Sequence, residues 1–203
     1  MTITHCFLAM PTIKKIRTAI RKQRRSLSRA QQRFASQAAC NRLTNHPIFI
    51  RSKHIAIYWP NDGEIDPTPL LEKAWRLGKH CYLPVLAPLD KKTLGFSRYR
   101  KNQTLRNNRY GIPEPATSHS SLYPAWALDI VITPLVAFDQ EGNRIGMGGG
   151  YYDRTFHFRA KSPTRKPALI GLGHHFQQID CIPARAWDVP LTLAATDMSL
   201  IEF

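Results

Sequence analysis

No stretch of the chain approaches the roughly eighteen consecutive apolar residues that a membrane-spanning helix needs. The sequence therefore offers no candidate span. The opening MTITHCFLAM is too short and wrongly flanked for a signal peptide. Cysteine is sparse, at 6, 40, 81 and 181, and no two stand at the close spacing of a zinc knuckle or a dithiol redox motif. Four ordinary thiols in a reducing cytoplasm are the expectation. Internal repeats and low-complexity linkers are absent. Acid is missing from a whole region: no aspartate or glutamate occurs before Asp62, while twelve lysines and arginines do. Over all 203 residues, 29 Lys+Arg against 14 Asp+Glu give a formal charge of +15. Such a field attracts polyanions: nucleic acid, a membrane surface, or a small phosphorylated or polycarboxylate ligand. An Arg-rich, acid-free start also resembles an organelle transit peptide. Composition alone leaves these open.

What is present reads as one α/β domain. The 43% hydrophobic content suffices for a single sizeable core. Residues 13 to 27 form a helix by pattern, with Ile16, Ile20 and Leu27 on one stripe and basic residues elsewhere. Arg21, Lys22, Arg24 and Arg25 read as a solvated face that steers anions. Ser28 and Gln31 fit a capping box, so a second helix starts there and runs to about Leu43. HIAIYW (54–59) alternates and ends at Pro60, as a strand does. PTPLLEKAWRLG has helical spacing, with Pro67 suited to the first turn and Gly78 to the stop. HCYLPVL (80–86), LGFSRY (94–99), LDIVIT (128–133), ALIGLG (168–173) and LTLAATD supply further strands. Strands alternating with helices imply a mostly parallel sheet covered on both faces. In such sheets ligands bind beyond the carboxyl ends of the strands.

The most informative stretch is NRIGMGGGYYDR (143–154), where four glycines fall within five residues. Strand, glycine turn and helix start together make an anion site, because bare backbone N–H groups can approach a phosphate. A connecting turn without a ligand is the plain alternative. The loop is not a P-loop, which needs Lys and then Ser or Thr where Tyr151 and Tyr152 stand. It is not a dinucleotide fingerprint either, since Tyr151 occupies the place of the third glycine counted from Gly146. Arg144 suits a phosphate oxygen. Asp153 suits magnesium, which takes one or two carboxylates together with nucleotide phosphates. A capping role is its alternative.

YWPNDGEID (58–66), YGIPEP (110–115), LDIVITPLVAFDQEGNRIGMGGGYYDR (128–154) and CIPARAWDVPL (181–191) occur in this order. Together they closely resemble the 5-formyltetrahydrofolate cyclo-ligase family, also called 5,10-methenyltetrahydrofolate synthetases. The resemblance runs from about Lys14 to Asp197, and AFDQEGNRIGMGGGYYDR is its most specific piece. It implies a three-layer α/β/α fold similar to sugar-phosphate isomerases and CoA transferases. It implies a one-carbon-metabolism ligase that closes the ring of 5-formyltetrahydrofolate at the expense of ATP, giving 5,10-methenyltetrahydrofolate, ADP and phosphate through an iminium phosphate.

The resemblance also assigns residues. ATP would lie on Lys14, Arg17, Arg144, Ile145, Gly146, Met147, Gly148, Gly149, Gly150, Tyr151 and Tyr152. The family places a basic residue four positions before its arginine; Ile13 stands there, with Lys14 beside it. Folate would meet Trp59, Glu64 and the loop from Met147 to Tyr151. On the residues alone Glu64 reads as a turn acid and Trp59 as a core aromatic. Magnesium would be held by Asp153 and Asp188. Arg144, Tyr151 and Tyr152 would attend the chemistry, one tyrosine on the substrate and the other packed inward.

Residues 1–12 are expected to be a flexible extension and 13–203 the catalytic domain of a monomeric, cytoplasmic enzyme without a nucleic-acid or membrane partner. A basic RNA-binding protein is the rival outside enzymes; it explains the charge but not the glycine loop or the spaced aspartates. Another enzyme of the same fold is the rival within them. His174 and His175 make a poor metal pair, and the basic segment 91–111 reads as an exposed hairpin or loop with YGIPEP near the nucleotide.

Overall fold

The computed structural model describes residues 12–87, 92–116, 121–159 and 166–203. The expected extension therefore lies outside the described residues, except Thr12. Thr12 caps the first helix, α1 (Ile13–Ser26), by accepting a hydrogen bond from the Lys15 N–H. The capping box at Ser28 is formed in both directions, and α2 runs Arg29–Thr44. A short α3 (Pro47–Arg51), not anticipated from the sequence, leads into β1 (His54–Ala56). The strand expected over 54–59 pairs only in its first half. Beyond it the Ile57 N–H still reaches the Tyr82 carbonyl at 2.9 Å, and the chain then turns through Pro60. Next come α4 (Thr68–Arg76), with Pro67 at its N-cap position, then β2 (His80–Leu86) and β3 (Leu94–Tyr99).

The basic segment expected as an exposed hairpin or loop over 91–111 is thus partly β3, a strand of the main sheet, and only its later part enters a hairpin of β4 (Leu105–Asn107) and β5 (Pro113–Pro115). The chain then gives β6 (Ile130–Pro134) and a small hairpin of β7 (Ala137–Phe138) and β8 (Arg144–Ile145). It continues through α5 (Tyr151–Phe156), β9 (Ala168–Leu172), β10 (Leu193–Ala195) and β11 (Leu200–Glu202).

Seven strands form one sheet in the order β11-β10-β9-β6-β1-β2-β3. The five inner strands are parallel, and the edge strands β3 and β11 are antiparallel. Alternate residues on the inner strands serve opposite faces, as strand geometry requires. Ile55, Ile132, Ile170 and Leu193 pack under α2 and α4 through Ala39, Leu43, Leu70 and Ala74. Ala56, Val131, Leu169 and Ala194 face Phe156 of α5, together with Leu128, Val189 and Leu191. Both faces are thus covered, although the second layer is mostly turns around one six-residue helix. Helix α1 stands apart and packs Ile16 and Ile20 on Val136, Ala137 and Ile145 of the small hairpin.

Cys40 and Cys81 are buried free thiols, and burial pushes both up to about 12. Cys181 is disulfide-bonded, which departs from the expectation of four thiols.

Candidate active site

A cleft of about 1130 Å³ opens beyond the carboxyl ends of β1, β2 and β6. The segment after β1 supplies Trp59, Asn61, Asp62 and Glu64, and the end of β6 supplies Pro134 and Leu135. The opposite wall is the stretch Arg144–Arg154, with Arg17 from α1 and Arg185, Trp187 and Asp188 from the late loop. Every residue assigned from the sequence lines this cleft except Lys14. Lys14 is exposed, and its neighbour Ile13 takes the place in the wall.

The glycine loop is held from both sides. The Arg17 Nε–H donates to the Gly146 carbonyl at 2.8 Å. Gly148 lies at φ +103°, where a side chain is strained, and a Cβ there would sit 3.6 Å from the Arg17 guanidinium. At the far end Arg154 donates to the Gly149 carbonyl and lies over the Tyr151 ring. The loop leads into α5, which is only six residues long. The anion-binding character expected from strand, glycines and helix therefore rests on loop N–H groups and arginines more than on a helix dipole.

Arg144 and Asp153 meet across the start and end of this stretch. Arg144 Nη2 donates to Asp153 Oδ1 at 2.6 Å, and Nη1 donates to the Val189 carbonyl. The Val189 N–H also reaches Asp153 Oδ1, at 3.3 Å. This ties the late WDVPL segment to α5. It brings Asp188, the neighbour of Val189, into the same cleft as Asp153. Asp188 Oδ2 accepts from the Arg185 N–H at 3.0 Å. Each carboxylate uses one oxygen in the bonds described, and both residues line the cleft. Two such groups fit a magnesium ion that takes its remaining ligands from phosphates and water. No group of three or more ligating side chains occurs among the described residues, so a metal held by protein alone does not fit.

The two tyrosines divide as the sequence left open. Tyr152 turns inward, stacked on Phe156 at 6.4 Å, and burial raises its phenol. Tyr151 turns outward. Its hydroxyl lies 2.9 Å from both the Tyr110 hydroxyl and Arg109 Nη2. These hydrogen bonds, that from Tyr110 first, lower its pKa. The tip of the β4–β5 hairpin thereby reaches the end of the glycine loop through Arg109 and Tyr110.

Glu64 is nearly enclosed. Its Oε2 accepts from the Asn61 N–H at 3.0 Å, and burial raises the carboxyl to about 7 against the opposing charge of Arg24. Trp59 stands edge-on to Tyr99, with ring centroids 6.4 Å apart.

Sequence reasoning missed what holds this loop. Of the basic residues expected on a solvated face, Arg24 is completely buried, while Arg21 is half-buried and Lys22 and Arg25 are exposed. Arg21, Arg24 and Arg25 all reach Asp62, at 2.6, 3.1 and 2.5 Å. Gly63 presses on the Arg24 backbone, where a Cβ would meet atoms at 3.2 to 3.3 Å. The signal was available: Arg24 lies four residues after Ile20 and eight after Ile16, on the apolar stripe itself. His174 is also buried, stacked on Phe176 and 3.3 Å from the Gly63 carbonyl.

Comparison with known proteins places the chain in a family. The profile of the 5-formyltetrahydrofolate cyclo-ligase family covers residues 9–197. The 5-formyltetrahydrofolate cyclo-ligase of Escherichia coli K12 is 39% identical over 184 residues, 91% of this chain and 100% of that protein. The protein of the same name from Haemophilus influenzae is 42% identical over 178 residues, 88% of this chain and 94% of that one. Among solved structures, the Aquifex aeolicus 5,10-methenyltetrahydrofolate synthetase superposes with a TM-score of 0.77 at 29% identity, covering 94% of this chain and 92% of its own. With the glycine loop, the Glu64 turn and the paired aspartates all inside one matched span, the chain belongs to the 5-formyltetrahydrofolate cyclo-ligase family.

Proposed function

We propose that this chain converts 5-formyltetrahydrofolate to 5,10-methenyltetrahydrofolate with hydrolysis of ATP to ADP and phosphate. One observation carries the reading. The Trp59–Glu64 turn and the Gly146–Gly150 loop face a single cleft of about 1130 Å³, above the range of roughly 300–1,000 Å³ usual for one small ligand. That volume suits a pterin and a triphosphate side by side. The Glu64 carboxylate accepts from the pterin amino and ring N–H groups, and Trp59 offers a flat apolar wall. The phosphates lie along the loop N–H groups, with Arg17 at one side.

The chemistry needs little from the protein beyond alignment and charge balance. The formyl oxygen attacks the γ-phosphorus; the bond to the β,γ-bridging oxygen breaks and ADP leaves. N10 then adds to the activated formyl carbon, loses its proton, and the C–O bond breaks to release phosphate. Arg144 fixes Asp153 through their 2.6 Å pair, and the outward Tyr151 hydroxyl borders the reacting groups. Asp153 and Asp188 would hold magnesium, which would neutralise phosphate charge. The same reading makes residues 13–203 one catalytic domain of a monomeric, cytoplasmic enzyme whose partners are these small molecules. No helix among the described residues is long and apolar enough to cross a membrane.

The test is direct. Purified protein is mixed with 5-formyltetrahydrofolate and MgATP, and the near-ultraviolet absorbance of the methenyl product is followed. Product should form only with ATP, and Asp153→Ala should abolish it while retaining the fold. Folded wild type that binds ATP and yields no product would overturn the assignment of substrate.

A further inference from the structure

We propose that Arg24 is a positioning residue for the folate, acting from inside the core to hold Glu64 in place as the anion that receives the pterin. This rests on the reading of Glu64 as the pterin's partner. Arg24 is fully buried on the stripe of α1 that otherwise carries Ile16 and Ile20. An apolar side chain there would pack at no electrostatic cost, whereas a buried guanidinium is expensive unless paired. Its pairing is incomplete. Nη2 reaches Asp62 Oδ2 at 3.1 Å, Nη1 reaches the Leu135 carbonyl at 3.3 Å, and Nε has no partner. Asp62 is already shared with Arg21 and Arg25, so three cations converge on one carboxylate. The surplus positive charge faces Glu64, whose Oε1 stands 3.8 Å from Arg24 Nη1. That distance is too long for a hydrogen bond and short enough for strong Coulomb attraction.

The charged and titratable groups facing Glu64 are Arg24 and Arg21 of α1, Asp62 of its own loop, the Tyr58 phenol after β1, and the Tyr152 phenol of α5. Arg24 and Arg21 favour its charged form, and Asp62 opposes it. Burial is the largest influence and favours the neutral acid. The Asn61 N–H hydrogen bond, and after it the charge of Arg24 and Arg21, oppose that burial and favour the anion. Charge on Glu64 is the form that accepts two pterin N–H groups; the protonated acid would present a donor to a donor.

The experiment is the pH profile of kcat/KM for 5-formyltetrahydrofolate between pH 5.5 and 8.5, at saturating MgATP. Wild type should lose activity through an acid limb near the Glu64 value, and Glu64→Gln should raise the folate KM and remove that limb. Arg24→Gln should move the limb to higher pH and raise the folate KM at pH 7 by about fivefold, with the ATP KM nearly unchanged. Arg24→Lys should restore most of it. Asp62→Asn should move the limb the other way, because it deletes the negative charge that opposes ionisation. Opposite shifts from Arg24→Gln and Asp62→Asn support the proposal. A fixed limb, or shifts of the same sign, overturns it and leaves Arg24 a packing residue. If Arg24→Gln does not fold, the shift in Asp62→Asn and a profile close to wild type in Arg24→Lys decide in its place; an unshifted Asp62→Asn overturns the idea. An unchanged folate KM in Glu64→Gln would remove the pterin assignment itself, and the proposal with it. Loss in Glu64→Gln with no shift at Arg24 or Asp62 removes the proposal alone.

Discussion

At the Glu64 carboxyl, binding and stability make opposite demands. Burial lifts it from an ordinary 4.5 to about 7. Between those values the folded protein keeps a proton that the unfolded chain has released, so ionising Glu64 lowers stability as the pH rises through that window. Glu64→Gln removes the titration. Relative to wild type the variant should therefore gain about 3 kcal/mol on going from pH 4.5 to pH 8, read from urea unfolding at each pH. A difference that stays constant with pH would show that the carboxyl does not titrate in a buried setting. Little of this was legible in the sequence. DGEID announces a turn with acids, but enclosure depends on α1 and Tyr152, which come from distant parts of the chain, as well as on the nearby Tyr58. Arg24 was legible, since helical spacing puts it on the apolar stripe; its basic neighbours at 21, 22 and 25 disguised it as part of a solvated surface.

Among the elements, the glycine loop is the one whose sequence and structure agree most closely. Its backbone demand is local, and only glycine meets it, so composition alone reveals it. Gly148→Ala places a Cβ at φ +103° on an exposed loop beside Arg17. It should lower kcat/KM for ATP by roughly tenfold or more while thermal unfolding moves by only a few degrees, because the loop contributes little buried surface. A variant with unimpaired kinetics would show that the loop does not carry the triphosphate. The helices with caps were equally readable: Ser28, Gln31 and Pro67 mark starts by local chemistry. The elements that escaped notice were α3, the β7–β8 hairpin and β11. Each is five residues or fewer, too short for a periodic signal, and the strands form because a neighbour offers hydrogen bonds.

At the level of the whole molecule the formal charge of +15 meets two anionic substrates. Only part of it is bound up in the Asp62 cluster, so the rest acts at a distance. Raising ionic strength from about 0.02 to about 0.2 M should increase KM for both substrates several-fold and leave kcat nearly constant, since screening weakens capture more than alignment. A KM insensitive to salt would confine the charge effect to direct contacts. The position of α1 has a separate consequence, for the order in which the site is assembled. Its anchors are remote: Arg17 is bonded to a residue 129 positions later, and Arg24 to one 111 positions later. Helix α1 leaves the ribosome long before Gly146 and Leu135 exist as partners. It must wait as an unseated, strongly basic helix until the β7–β8 region has been made. Contacts of such long sequence separation form late, after the loop entropy of the intervening chain has been overcome. A chain stalled before Gly146 thus leaves Arg17 without its partner, although Arg21, Arg24 and Arg25 already have Asp62 within reach.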